Sequence, residues 1–522
     1  MNSVINFFKE FLATPSILIG VFVLLGMILQ AKKVSEIITS TIKTIIGFLI
    51  IGAGAGILAG AIDKLGKSFN LLFNIQGIIA NNDVIPGILF NTLPKLLTSA
   101  VSILIGSMFL NILLAKITSH KYIYLTGHVL FYFSTMIASV LHISGLDLEK
   151  DFFLIVFCGS LITSLYMVLA PSLLNRYVID ITKSNDIALA HTGNLSYFFS
   201  ANFGRFINFI FKNKVKKTED IKFSQNLIFL RNTNVAIGLT MFLIYLIIYL
   251  TTFSIYGYKE MVNNQIISEG ENIFVQSILQ AFTFAAGVEV LIIGVKMFVS
   301  EVIPSFKGIS TKLIPKAKSG LDCPIMFTYA PNAVLIGFIF SFIGGIIGMF
   351  ILIALDQSIN WQIIIIPSII PHFFVGATCG VFANHKGGVI GVILATFING
   401  ILMTFVPYLY IGLDLMENSK NIAWGDSDFI IGLPIALLGK WLGRSIIYWL
   451  FPLLFSILWL IFPIYTLIKN YCFKNKKINN DFELKKIIKQ NIKNKIVTVC
   501  GQGLGSSLII ELNLKNVVKK LN

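Results

Sequence analysis

The sequence predicts an all-α polytopic membrane protein of about eleven transmembrane helices. They form two inverted five-helix repeats with re-entrant or broken segments, followed by a partial α/β cytoplasmic tail of one βα unit. Three observations predict this. Of 522 residues, 56% are hydrophobic and 13% charged, where globular domains carry about 25% charge. Basic and acidic connections alternate between the apolar runs. Two connections, at equivalent places in the two halves, are too apolar and too proline-rich to be ordinary loops.

The net charge of +16 follows from the Lys/Arg excess of cytoplasmic loops and excludes nucleic acid as the expected partner. Five cysteines are scattered without a CxxC pair or metal-ligand spacing. Neither a disulfide framework nor structural zinc is expected, and no metal or other cofactor. Residues 1–15 lack the basic start and small-residue cleavage site of a signal peptide.

Taken in order, the apolar runs place spans near 16–31, 41–62, 98–115, 122–145, 152–175 and 232–254, then 273–296, 333–355, 361–380, 388–411 and 443–468. The connections at Lys32-Lys33, Lys116 to Lys121, Arg176–Arg231 and Lys296–Lys318 are basic. Those at Asp147–Asp151, Lys259–Glu271, Asp356 and Asp414–Asp428 are acidic or nearly neutral. The alternation puts the N-terminus outside and the C-terminus in the cytoplasm.

The two anomalous connections are Leu71 to Leu97, with Asn81-Asn82-Asp83, Pro86 and Pro94, and Val302 to Asn332, with Pro304, Pro315, Asp322, Pro324 and Pro331. Proline stops a helix, and irregular backbone at membrane depth persists only where protein or a water-filled cavity satisfies it. Paired interruptions of this kind point to a transporter's substrate site. Asp322 has two readings here, a functional acid beside the break or a surface carboxylate near Lys316 and Lys318.

Residues 1–468 thus make the transmembrane part, and 469–494 a basic linker rich in Lys and Asn, solvated or drawn to anionic lipid. From 495 to 522 a strand signal, Lys495-Ile-Val-Thr-Val, leads into Cys500-Gly501-Gln502-Gly503-Leu504-Gly505-Ser506-Ser507 and a helical pattern from Leu508. Strand, glycine-rich loop and helix hold phosphate on backbone amides at a helix N-terminus. The same field favours a thiolate at Cys500, so the loop is placed to accept a phosphoryl group. Serines stand where a hydrolytic phosphatase needs arginine, which favours transfer. A dinucleotide or Walker loop is excluded by the glycine spacing and the missing Gly-Lys-Ser/Thr. One βα unit is short of the roughly 50 residues of a domain, so a truncated carrier, or one completed by a partner, is expected.

The chain resembles the ascorbate-type IIC permeases of the bacterial phosphoenolpyruvate-dependent phosphotransferase system. The resemblance is carried by Ile42-Lys-Thr-Ile-Ile-Gly-Phe, Gly52-Ala-Gly-Ala-Gly-Ile-Leu, Leu125-Thr-Gly-His128 and Gly294-Val-Lys-Met-Phe-Val-Ser-Glu301. It continues in Gly308-Ile-Ser, Leu321-Asp-Cys323, Tyr329-Ala-Pro-Asn-Ala-Val334 and Val381-Phe-Ala-Asn-His-Lys-Gly-Gly388. The tail resembles the start of a IIB domain of the same system. The resemblance implies a homodimer in the bacterial cytoplasmic membrane, with a fixed dimerisation part and a mobile core. It implies a sugar phosphorylated from the IIB cysteine, with IIA and IIB phosphocarriers as partners. It also implies L-ascorbate contacts at His128, His191 and Asp322, where Asp322 must meet hydroxyls because like charges repel. Without it, these histidines read as ordinary satisfied polar residues, as do His120, His142, His372 and His385. The chain departs from the family at Tyr132 and Thr192, each in place of a glutamine, and at Asn82-Asp83, in place of Thr-Tyr. Loss of amides that both donate and accept opens the substrate to a related sugar acid or polyol. The alternatives are an ion-coupled secondary transporter with a non-functional tail, and a phosphatase or redox protein acting through Cys500.

Overall fold

The computed structural model describes residues 15–466, apart from 74–75, 83, 186, 213, 222–232, 315–316 and 417–421. Contacts divide the chain into two units, Met1–Pro463 and Ile464–Asn522, and the account below concerns the first. The linker, the Cys500 loop and Asp83 lie outside the described residues.

The first half opens with α1 (Pro15–Leu29) and the long α2 (Val34–Phe73), then β1 (Gln76–Ala80), α3 (Ile85–Thr92) and α4 (Pro94–Ile117). It continues with β2 (Tyr122–Tyr124), α5 (Gly127–Ile143), α6 (Phe152–Thr182), β3 (Ile187–Leu189) and α7 (Asn194–Ile210). The second half follows α8 (Thr233–Asn263) with α9 (Ile273–Leu313), β4 (Lys318–Leu321), a 3-10 turn at Cys323–Tyr329 and α10 (Pro331–Ile359). Then come β5 (Ile363–Ile366), α11 (Ile369–Gly412), β6 (Ile422–Ala423), a 3-10 turn at Ser427–Ile431, α12 (Gly432–Leu442) and α13 (Arg444–Thr466).

Among the described residues eight helices are long and apolar enough to cross a membrane, with α5 as a shorter apolar helix. The difference from the eleven apolar runs of the sequence has physical causes. The α5 helix is 17 residues long, short of the roughly 20 a span needs, and 15 residues of α1 are described. The runs at 361–380 and 388–411 are joined without a loop: two helical stretches meet at a kink at Gly388 and count as one continuous stretch over residues 369–412. Residues 363–366 form β5, and α11 passes through a π-helical turn at His372–Gly376 before that kink, where φ is 57°. Carbonyls freed near the kink are met from outside the helix. Lys217 Nζ donates to the oxygens of Asn384 (2.8 Å) and His385 (2.5 Å), as interruption of a membrane helix requires. Two residues on, Glu219 accepts the N–H groups of Asn332 and Ala333 at the start of α10, a cap supplied in trans.

Both anomalous connections contain a strand, and the two strands lie at the centres of separate three-stranded parallel sheets. One sheet has the order β5-β1-β6, the other β2-β4-β3. Each central strand belongs to one half of the chain and both of its neighbours to the other. The proline-started helices after them, α4 and α10, are preceded by residues of nearly the same backbone conformation. Leu93 has φ −146° and ψ 63°, Ala330 φ −155° and ψ 72°. The open edge of β2 is closed by a side chain. Asn111, buried on α4, donates from Nδ2 to the Tyr122 oxygen (3.1 Å) and accepts at Oδ1 from the Tyr124 N–H (3.2 Å). One amide thus serves as the neighbouring strand.

Helices α10 and α11 pack through glycines. A Cβ on Gly400 would lie 2.0 Å from the Ser341 carbonyl oxygen, a backbone atom that cannot rotate away. Gly400→Val is therefore expected to destabilise the protein by more than about 2 kcal/mol, read as a lower thermal unfolding midpoint in detergent micelles. At Gly60, where a Cβ meets nothing within 4 Å, Ala should leave the midpoint within error.

Candidate functional site

Parallel strands end at a common edge, and each of the six strands here delivers a loop to the same small cavity. In the second sheet, β4 is followed directly by Asp322, β3 by Ala190 and His191, and β2 by the turn that places His128 in the first turn of α5. In the first sheet, β1 leads to Asn82, β6 to Asp426, and β5 to Ile370 and Pro371. Asn82, His128, Tyr132, His191, Asp322 and Asp426 form the polar wall of this cavity, and Val129, Ile370, Pro371 and Phe374 the apolar one. Ligand sites at the carboxyl ends of parallel strands follow the same geometric logic in open α/β sheets. The space measures about 40 Å³, enough for a few waters and too small for a sugar ring until the walls part.

Asp322 is the hub. Its Oδ1 accepts the Cys323 N–H (2.7 Å) and faces His191 Nε2 at 4.0 Å, while Oδ2 lies 3.3 Å from His128 Nε2. Burial works to raise its carboxyl, but the adjacent His128 and His191 imidazoles outweigh it and hold Asp322 at about 2. Asp322 and His128 are 31% and 30% exposed and His191 only 7%, so the first two present the accessible face.

His191 is fixed in one tautomer. The Gly193 backbone N–H, which can only donate, points at Nδ1 (3.1 Å), and the Tyr197 hydroxyl lies 2.9 Å from the same atom. Nδ1 therefore carries the lone pair and Nε2 the hydrogen, directed at Asp322. Burial pushes the imidazole down to about 4 against the pull of Asp322. A Cβ at Gly193 would lie 2.6 Å from the Tyr197 hydroxyl, so a side chain there would have to displace the group that faces His191 Nδ1. The tautomer also settles what the cluster can hold. His191, Asp322 and Cys323 offer ligand atoms within 4.8 Å of one another. The hydrogen on Nε2 leaves no lone pair toward Asp322, and burial, then the charge of Asp322, keeps the Cys323 thiol well above its usual range. The arrangement suits hydroxyl groups rather than a cation.

The loops after β3 and β6 are tied together behind the cavity. Thr192, expected at the site, does not line it; its hydroxyl donates to Asp426 Oδ2. The Asp428 N–H donates to the Thr192 oxygen (2.9 Å), and the Asp428 carboxylate accepts the Asn194 and Leu195 N–H groups (3.0 and 2.9 Å) that open α7. Tyr166 completes the knot, its hydroxyl 2.6 Å from Asp428 Oδ2 and 2.8 Å from the His191 oxygen. Burial lifts the Asp428 carboxyl to about 6 in spite of these donors.

Of the residues singled out in the sequence, Asn82, His128, Tyr132, His191 and Asp322 meet in the cavity and Thr192 stands behind it; Asp83 and the Cys500 loop lie outside the described residues. His120, His142, His372 and His385 are not in its wall. Asp426 was missed. The sequence reading took Asp414–Asp428 as an acidic connection between spans, whereas its end folds back into the cavity. The available signal was an acid within two residues after a glycine, Gly425-Asp426, as also at Gly320-Leu321-Asp322.

Residues 10–428 match the family described as the PTS system sugar-specific permease component. Over 451 residues the chain is 25% identical to the ascorbate-specific PTS system EIIC component of Mycoplasma pneumoniae, an alignment covering 77% of this chain and 65% of that protein. The chain thus spans less than two thirds of the length of the curated relative it matches.

The lowered His191 value has a definite sign. An unfolded chain takes up a proton near 6.5 and the folded one only near 4, so the folded state loses stability as pH falls through that window. Asp428, raised to about 6, works in the opposite sense over an overlapping range, so a difference measurement is needed. Between pH 7 and 5, His191→Gln should remove a stability loss of about 2 kcal/mol from the wild-type profile, read by thermal unfolding of the solubilised protein. An unchanged pH slope would mean that His191 titrates alike in the folded and unfolded chain.

Proposed function

The chain belongs to the sugar-specific permease components of the phosphotransferase system, and on that premise we propose that it carries a small polyhydroxylated sugar across the cytoplasmic membrane with phosphorylation from a IIB phospho-cysteine. L-ascorbate, named for the Mycoplasma pneumoniae relative, or a related sugar acid or polyol is the substrate. One observation carries this reading: His128, His191 and Asp322 converge from three parallel strands on one cavity. The His191 Nε2–H donates, Asp322 accepts, and Asn82, whose Oδ1 accepts the Gly425 N–H (2.6 Å), keeps its amide hydrogens as donors. Hydroxyls, which both donate and accept, complement such a set.

The exchanged central strands, the matched order of helices and strands, and the matched conformations before Pro94 and Pro331 support two repeated halves of inverted topology, and the alternation of basic and acidic connections favours an N-terminus outside and a C-terminus in the cytoplasm. The cavity would then open alternately to each side as one part moves against the other, the parts assembling as a homodimer. On the inner side the sugar meets the phosphoryl group held by Cys500 in the 501–507 loop, or by a separate IIB protein, recharged by IIA. Lipid surrounds the spans.

Membrane vesicles supplied with phosphoenolpyruvate and the general carrier proteins should accumulate phosphorylated sugar. Uptake of free sugar that collapses with the proton gradient would instead establish ion-coupled secondary transport. Asp322→Asn should lower uptake at least about tenfold, since it removes charge-assisted bonds. Cys500→Ser should abolish phosphate labelling of the chain; unchanged labelling would assign that chemistry elsewhere.

A further inference from the structure

A second cavity, of about 660 Å³, shares no wall residue with the sugar cavity. Its size falls within the roughly 300–1,000 Å³ of small-molecule sites. The wall is built mostly of apolar side chains from the middle of α6, the 3-10 turn at Ser427–Ile431, the start of α12 and the middle of α13, with Asn194 and Leu195 from the head of α7. Trp459 Nε1 on α13 donates to Ser164 Oγ on α6 (3.1 Å) and ties the two helices together beside it. Both helices are long and apolar enough to cross a membrane. Leu169, Leu173 and Leu458, which line the cavity, are exposed on them, so the cavity opens where these spans meet hydrocarbon. Its polar groups are almost all engaged. The Asp428 carboxylate accepts from Tyr166, Asn194 and Leu195, the Tyr166 hydroxyl also meets the His191 oxygen, and the Ser172 hydroxyl lies 2.8 Å from His120 Nδ1. Asn194 differs. Its Nδ2 donates to the His191 oxygen, which fixes the orientation of the amide, yet its Oδ1 is buried and has no hydrogen-bond partner in the protein.

We propose that this cavity binds an alcohol dissolved in the bilayer, an apolar molecule whose single hydroxyl donates to Asn194 Oδ1 while its hydrocarbon fills the space between α6 and α13. Each part of the ligand answers a feature of the wall. The exposed leucines at the mouth admit what hydrocarbon already dissolves, and the apolar sides gain from excluding water. A charged headgroup would lose its hydration against such a wall without compensation. A plain acyl chain would fill the volume but leave Oδ1 unmet, and a buried acceptor without a donor is costly. One neutral donor on an apolar body satisfies both demands. The inference stands independently of the sugar-binding reading, since the two walls are separate.

The test is photolabelling of the full chain in lipid nanodiscs with a diazirine analogue of 1-dodecanol, followed by mapping of the labelled peptides. Unlabelled 1-dodecanol and its methyl ether, which has the same chain and no donor, compete at equal mole fraction in the bilayer. Label should concentrate on residues 162–173 and 455–458, and the alcohol should compete about fivefold better than the ether. Asn194→Leu should bring the two competitors to parity. Ala170→Phe, whose ring takes up the cavity, should reduce the label on these peptides to background. Leu458→Trp at the mouth should do the same if Ala170→Phe fails to fold. Label spread evenly over the spans, as contact with bulk lipid alone produces, overturns the proposal. Equal competition by alcohol and ether in the wild type also overturns it, because an apolar tail then accounts for the binding. So does undiminished label in a folded Ala170→Phe or Leu458→Trp protein.

Discussion

The constraint on which the rest depends is that backbone N–H and C=O groups in apolar surroundings need partners. Helices satisfy it within themselves. The two interrupted connections cannot, and each meets it by placing a strand between two strands of the other half. Parallel pairing then gives every strand the same direction, so all the loops that follow emerge along one edge in each sheet. The cavity is the space those edges enclose. Its position is thus a result of hydrogen-bond accounting rather than of any attraction among the polar side chains that line it. Where the pairing runs out, side chains take it over: Asn111 beside β2, Lys217 at the α11 kink and Glu219 at the start of α10.

The three acids around the site do different work because their surroundings differ. Asp322 sits between two imidazoles and one backbone N–H and stays ionised. Asp428, fully buried, serves two backbone N–H groups at the head of α7 and so fixes the loop that carries His191. Asp426 stands between these roles, tied to Thr192 behind the wall and facing the cavity in front. Thr192 and Tyr132 replace amides expected from the resemblance, and they have diverged in consequence. Tyr132 remains in the wall, while Thr192 has become the support for a carboxylate.

Hydropathy made the long helices legible, since α2, α4, α6, α10 and α13 each fall on an apolar run that the sequence displays. It failed where an apolar run is not a helix. Ile363–Ile366 is four isoleucines, indistinguishable from membrane helix by composition, and only its pairing with β1 makes it a strand. Strands of two to five residues are too short to show a period of two. The prolines and the acid at Val302–Asn332 did reveal the break, because they oppose helix and hydrocarbon at once. His128 and His191 were nameable only through motif resemblance, whereas Asp322 stood out as an acid beside the break; no spacing in the chain announces that they converge. Asp426 was hidden by its acidic neighbourhood, where one more carboxylate looks like solvent-facing charge.

The exchange of central strands also constrains how the protein comes into being. Gln76–Ala80 finds its partners only at Ile363–Ile366 and Ile422–Ala423, so about 280 residues must leave the ribosome before β1 can make a single ladder bond. Throughout that interval the nascent first half must keep an unpaired strand among its inserted helices. A chain halted midway could complete neither sheet. The cavity can therefore form only after the second half of the chain has been made.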